Sequence, residues 1–146
     1  MTEFSGENNA DAFCAVHSFV SMELNDISQT VIGAAIEIHK QLGPGLLESV
    51  YVATLTYDLQ LLGLKAEMQV PLPVVYKEVL MEVGFRVDIL VNDKVIVEVK
   101  SVEALAPVHY SQLLTYLRLA DKRLGLLINF NSDVLKNGIH RVVNKF

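Results

Sequence analysis

Two carboxylates and a lysine lie in adjacent stretches of alternating apolar and polar residues. Asp88 falls within 83–91, and Glu98 and Lys100 within 94–100. Such alternation marks strands, because successive side chains point to opposite faces. A two-residue Asn92-Asp93 turn would mix charged and apolar groups on both faces. A three-residue turn, Asn92-Asp93-Lys94, pairs Val91 with Val95, Ile89 with Val97 and Val87 with Val99. One face is then wholly apolar, and the other sets Asp88 opposite Glu98 and Arg86 opposite Lys100. Burying one face fixes register, so the second turn is expected. It carries one conflict, since such turns favour glycine at the left-handed position and none is present. Opposed residues have Cβ atoms about 4.5–5.5 Å apart. Two ionised carboxylates at that spacing repel unless a proton or cation lies between them. The face suits either a hard divalent cation with a cationic helper, or a solvated surface on which Arg86 and Lys100 neutralise the acids.

Two helical stretches contribute further candidates. Leu47, Tyr51, Leu55, Leu59 and Leu62 form an apolar stripe across 46–62, and Glu48 projects about 40° from its centre on a helical wheel. A carboxylate there is paired, at the rim, or aimed into a site. In 107–119, Gln112 and Tyr116 are four residues apart and share a face with His109. Together they have the donors and acceptors to hold a phosphate or a base. Equally, Tyr116 is a core residue and His109 an exposed first-turn residue.

These side chains need a scaffold, and the chain is long enough to build one. Its 146 residues are 51% hydrophobic, which supports one domain and excludes a disordered protein. No apolar run reaches the length of a membrane span. The single Cys14 excludes an internal disulfide, and no basic segment precedes an apolar one as in a secretory signal; a cytoplasmic location is expected. The net charge of −5 argues against generic coating of DNA. Residues 1–73 hold two bases against nine acids, whereas 74–146 hold ten against eight. A polyanion is thus drawn to the second half.

Residues 1–24, with Cys14 and His17, are expected to be a poorly ordered extension preceding one domain over 25–146. A helix over 27–42 follows from the spacing of Ile27, Val31, Ala35, Ile38 and Leu42. Asp26 and Gln29 resemble a capping box, and Gly43-Pro44-Gly45 ends the helix. A strand over 67–76 is limited to an edge or bulge by Pro71 and Pro73. Residues 123–129 read as a buried strand, and 132–143 as a short helix packing Val134, Leu135, Ile139 and Val142 inward. His39 and His140 are single and read as structural.

The ordered set Gly45-Leu-Leu-Glu48-Ser-Val-Tyr51, Asp88, Glu98-Val-Lys100 and Gln112-Leu-Leu-Thr-Tyr116 resembles the GxxExxY protein family, a branch of the PD-(D/E)XK nuclease superfamily. The resemblance spans about 27–144. It implies an α/β (α+β) fold with a restriction-endonuclease-like core, a central mixed β-sheet flanked by helices. It also implies a nuclease that uses Mg²⁺ or Mn²⁺ to hydrolyse DNA or RNA, alone or with a homodimer or protein partner. Asp88 and Glu98, with Glu48 and the Val99 carbonyl, match the metal ligands. Lys100 matches the residue that orients water or stabilises charge, and Gln112 and Tyr116 match a Gln-x-x-x-Tyr helix of exonuclease-like members. Val87 stands where the superfamily's name has proline. The alternative is a catalytically inactive nucleic-acid-binding or regulatory module on the same scaffold. Either way, Glu48, Asp88, Glu98 and Lys100 are expected in one cleft.

Overall fold

A computed structural model describes residues 23–145, apart from the side chains of Glu82 and Val83. Cys14, His17 and nearly all of the expected extension lie outside the described residues.

Helix α1 (Leu24–Leu42) buries Ile27, Ser28, Val31, Ala34, Ala35 and Ile38. It begins three residues earlier than the sequence suggests. Glu23 takes the cap position without a side-chain bond, so Asp26 lies inside the first turn and the Asp26–Gln29 capping box does not form. Helix α2 (Glu48–Leu61) buries Tyr51, Val52, Leu55, Thr56 and Leu59. The ends of its expected stripe are in solvent, with Leu47 75% and Leu62 59% exposed. Leu47 is the cap residue and Glu48 the first helical residue.

Five strands form one sheet in the order β1-β2-β3-β4-β5. They are β1 (Ala66–Tyr76), β2 (Val79–Val91), β3 (Val95–Lys100), β4 (Leu124–Asn129) and β5 (Ile139–Val143). β3 and β4 are parallel and the other neighbours antiparallel, so the sheet is mixed. A parallel pair needs a crossover, supplied by helix α3 (Pro107–Ala120). Pro107 opens α3, where its missing N–H costs nothing. Asp121, in the left-handed region at φ 53°, closes it.

The helices cover both faces of the sheet. α1 and α2 pack on Ile89, Val91, Val95, Val97, Val99, Leu124, Leu126 and Ile128. α3 packs Leu113, Tyr116 and Leu117 against Leu90, Ile96 and Leu127. β3 and β4 are thus covered on both faces, as expected of buried parallel strands.

The hairpin takes the three-residue turn. Ile89 pairs with Val97 and Val91 with Val95. Asn92 and Asp93 adopt φ 50° and 57° in place of glycine, because their short polar side chains tolerate the left-handed region. Asn92 also accepts a bond from the Lys65 N–H through Oδ1 (2.9 Å).

Two expectations are corrected. Residues 132–143 form a 3₁₀ turn, Leu135–Gly138, and then strand β5. Ile139 and Val142, three apart as on a helix, instead lie on a strand that supplies β4 with its second neighbour. The face containing Val87, Ile89 and Val91 is also not continuous. Ile89 and Val91 pack under α1 and α2, whereas Val87 packs with Leu72 and Tyr116 on the α3 side. β1 switches in step: Ala66 joins the first core, and Val70 and Leu72 the second. The switch falls at Gln69, at φ 53°, across from Asp88. Beyond it, β1 and β2 continue as a two-stranded arm with a bulge between Leu72 and Val74.

Gly138 supports the start of β5. A Cβ there would lie 2.6 Å from the Asn129 carbonyl oxygen, which belongs to the backbone and has little freedom to retreat. Gly138→Ala is expected to destabilise the fold by about 1–3 kcal/mol, the range for overpacking a close contact. Urea unfolding would show a lower midpoint at an unchanged slope.

Candidate active site

The β2–β3 ladder pairs Ile89 with Val97 and goes no further. Past that point the strands part, and side chains take over the bonding. The Asp88 N–H donates to Glu98 Oε1 (3.0 Å), and the Val99 N–H donates to Asp88 Oδ2 (2.8 Å). Each carboxylate thus reaches across the gap to the other strand's backbone. The Arg86–Lys100 pairing expected from sequence does not form, because β2 has left β3 by then. On its other edge β2 stays paired, with Arg86 opposite Pro71 of β1.

The parting sets polar side chains into an otherwise apolar sheet. Glu98 is only 6% exposed. Burial, and then the Asp88 charge, push its carboxyl up to about 8. Asp88 is also raised, by burial first, with the Glu48 charge adding to the rise. The Lys100 charge opposes the rise at both carboxyls. The two carboxyl groups act on each other's titration, and the Asp88 charge is the second cause of the rise at Glu98. The pair therefore titrates as a unit.

Glu48, the first residue of α2, is exposed. It borders an open groove of about 520 Å³ lined by Gly45, Leu46, Leu47, Ser49, Ser101 and Asn131. Its charge acts on Asp88. Among the described residues, however, no three His, Cys, Asp or Glu side chains gather closely enough to form a metal cage. Glu48 therefore lines the groove and acts on Asp88 through its charge.

α3 supplies the other wall. Tyr116 is 6% exposed. Its hydroxyl is raised by burial, then by the charges of Glu98 and Asp88, against a hydrogen bond with Gln112. Tyr116 is therefore both a core residue and a neighbour of the two acids, with Gln112 exposed beside it. Its ring lies 4.9 Å from that of Phe85 on the arm. His109 caps α3, since its Nδ1 accepts the Ala106 N–H (3.0 Å).

His39 Nε2 bonds the Ser132 carbonyl (2.7 Å), and His140 meets the Tyr110 ring edge-on. Sequence reasoning missed Ser101, directly after Lys100, whose Oγ donates to the Leu46 carbonyl (2.6 Å). It also missed Asn129 at the end of β4. Asn129 holds the loop after β3 by accepting the Val102 N–H and donating to the Val102 carbonyl. Neither gave a signal in the sequence, because both bond to main chain.

A mixed sheet that carries a buried acid, a half-buried acid and a lysine where two strands part, enclosed by helices on both faces, agrees with the restriction-endonuclease-like fold. The family model of the PD-(D/E)XK nuclease superfamily matches residues 25–142, and the chain belongs to that superfamily. No curated protein and no solved structure matches the chain significantly. Among the described residues, no helix is long and apolar enough to cross a membrane.

The raised Glu98 carboxyl makes stability depend on pH. The folded state keeps a proton that the unfolded chain releases near 4.5, the ordinary value. This contribution is therefore complete below about 4.5 and is lost as pH rises to about 8. In chelator, urea midpoints should fall across that window. Glu98→Gln keeps an oxygen for the Asp88 N–H, and should remove most of the slope and exceed the wild type in stability above pH 8.

Proposed function

We propose that the chain is a metal-dependent nuclease of the GxxExxY branch, hydrolysing phosphodiester bonds in DNA or RNA with Mg²⁺ or Mn²⁺. One observation carries the reading. The sheet opens where Asp88 and Glu98 meet, and the pair is at ease there only with a positive charge or proton between its oxygens.

The donor set fits a hard divalent ion. Asp88 and Glu98 offer carboxylate oxygens and no sulfur or nitrogen, which suits magnesium or manganese. Val99 can add its carbonyl. The N–H and C=O of one strand residue face the same neighbour, and the Val99 N–H already faces Asp88 across the gap. A bound divalent ion would lower the pKa of a water nucleophile and polarise the phosphate.

The chain's own groups do the rest. Lys100, close enough to act on both acids, places fixed positive charge beside the phosphate, where negative charge grows in the transition state. Gln112 and the Tyr116 hydroxyl line the α3 side as hydrogen-bond partners for phosphate or base. His109 contributes to substrate binding only through Nε2, since Nδ1 is held by the cap. Glu48 orients a metal-bound or attacking water in this reading, which its charge acting on Asp88 supports. A cytoplasmic location and a homodimeric or protein partner belong to the same proposal.

The test is a cleavage screen over single- and double-stranded DNA and RNA with Mg²⁺ or Mn²⁺, with Glu98→Ala as control. Cleavage that needs metal and is lost in the variant supports the reading. No metal binding by calorimetry at millimolar concentration, with or without nucleic acid, sinks it in favour of the inactive binding module.

Two outcomes follow for the parts. Saturating Mn²⁺ should raise the melting temperature by mass action, most strongly above pH 8, where the pair has lost its proton; Glu98→Gln should abolish that rise. Lys100→Ala should lower kcat by roughly 10²–10³-fold, as for loss of one charge-stabilising donor, while calorimetry shows metal binding retained.

A further inference from the structure

Glu48 and Lys100 are on different elements, yet a closed circuit of contacts joins them. Lys100 is followed by Ser101, whose Oγ donates to the Leu46 carbonyl (2.6 Å). The Leu46 N–H donates to the Tyr51 hydroxyl (3.1 Å), and that hydroxyl donates to the Gly43 carbonyl (2.6 Å). The Tyr51 ring stacks on Phe130 with centroids 4.3 Å apart and planes 9° apart. The Phe130 N–H donates to the Lys100 carbonyl (2.8 Å), which returns the circuit to its start.

The spacing of the signature explains how this works. Tyr51 is one turn after Glu48, and helical side chains lean toward the N-terminus. From there its hydroxyl reaches back beneath the turn that delivers Glu48. Gly43 and Gly45, at φ 71° and 93°, give that turn a course other residues resist. The cap of α2 has no side-chain bond of its own, so the tyrosine hydroxyl and the serine hydroxyl hold the turn that precedes it. Both amide groups of Leu46 are engaged, one by each. Tyr51 is fully buried, whereas Glu48 is exposed: the anchor is in the core and the acid it carries is in the groove.

We infer that Tyr51 and Ser101 are positioning residues that set Glu48 against the Asp88–Glu98–Lys100 group. This rests on the nuclease reading and assigns the tyrosine of the signature a purpose in it. Neither residue touches the reacting atoms. Each fixes Leu46, and Leu46 fixes the start of α2.

A double-mutant cycle on the full chain tests this. Tyr51→Phe keeps the ring stack and removes the hydroxyl. Ser101→Ala removes the other bond, and Ser101→Thr restores a hydroxyl. Tyr51→Phe and Ser101→Ala should each lower kcat about tenfold with KM little changed, since small misplacement alone is costly. Ser101→Thr should recover most of the loss. In a Glu48→Gln background, Ser101→Ala should cost less than twofold further. Calorimetry with Mn²⁺ alone should show the same pattern: weaker binding in Glu48→Gln and in Ser101→Ala, and no further weakening in the double variant. Equal losses from Ser101→Ala with and without Glu48 would overturn the inference while leaving the nuclease reading intact. A wild type that neither binds Mn²⁺ nor cleaves overturns both. Circular dichroism on every variant separates these results from unfolding.

Discussion

The molecule is organised around an interruption. Two antiparallel strands run in register for only a few residues and then separate, and the bonds the ladder gives up are replaced by carboxylates. Glu98 takes the Asp88 N–H and Asp88 takes the Val99 N–H. A buried acid in an apolar sheet is unfavourable unless its oxygens find donors. Here each acid is half satisfied by backbone and half left facing the other. The residual demand for positive charge suits the place to a cation, and it exists because the surrounding sheet is dry.

The rest of the fold accommodates that interruption. β3 and β4 are covered on both faces, so the pair lies at the end of the most buried part of the protein. The α3 crossover, required by the parallel pair, brings Gln112 and Tyr116 to one side. The helix pair on the opposite face brings Glu48 to the other. On the far side of the break, β1 and β2 turn over together at Gln69 and Asp88. This transfers their apolar residues from the α1–α2 core to the α3 core, so one kink both opens the site and roofs it with Phe85 beside Tyr116.

Much of this was legible in the sequence. The valine and isoleucine alternation in 83–100 fixed the register, because the other turn would have buried charge. The hairpin chose Asn92 and Asp93 where glycine was expected, since polar short side chains tolerate the same backbone region. What alternation could not show is that a strand changes face partway along. Val87, Ile89 and Val91 look equivalent in sequence, and only the packing of α3 against one side distinguishes them. The helix expected in 132–143 failed for a related reason: a few apolar residues at steps of three and four fit a helix locally, but β4 needed an antiparallel neighbour. Ser101 and Asn129 were invisible as site-building residues because their partners, Leu46 and Val102, carry no chemical signal. Their bonds are to main chain.

The arm beyond the break has a consequence for what can attach to the sheet. β1 is an edge strand, and exposed edges ordinarily invite another chain to extend the ladder. Pro71 and Pro73 cannot donate, Gln69 leaves the extended region, and the bulge between Leu72 and Val74 bends what remains. Growth by strand addition is therefore blocked along this border, even though Val75, Tyr76, Val79 and Leu80 leave apolar surface in solvent at the tip. Any molecule that meets the arm must do so across its faces, by shape and contact, and not by borrowing its hydrogen bonds.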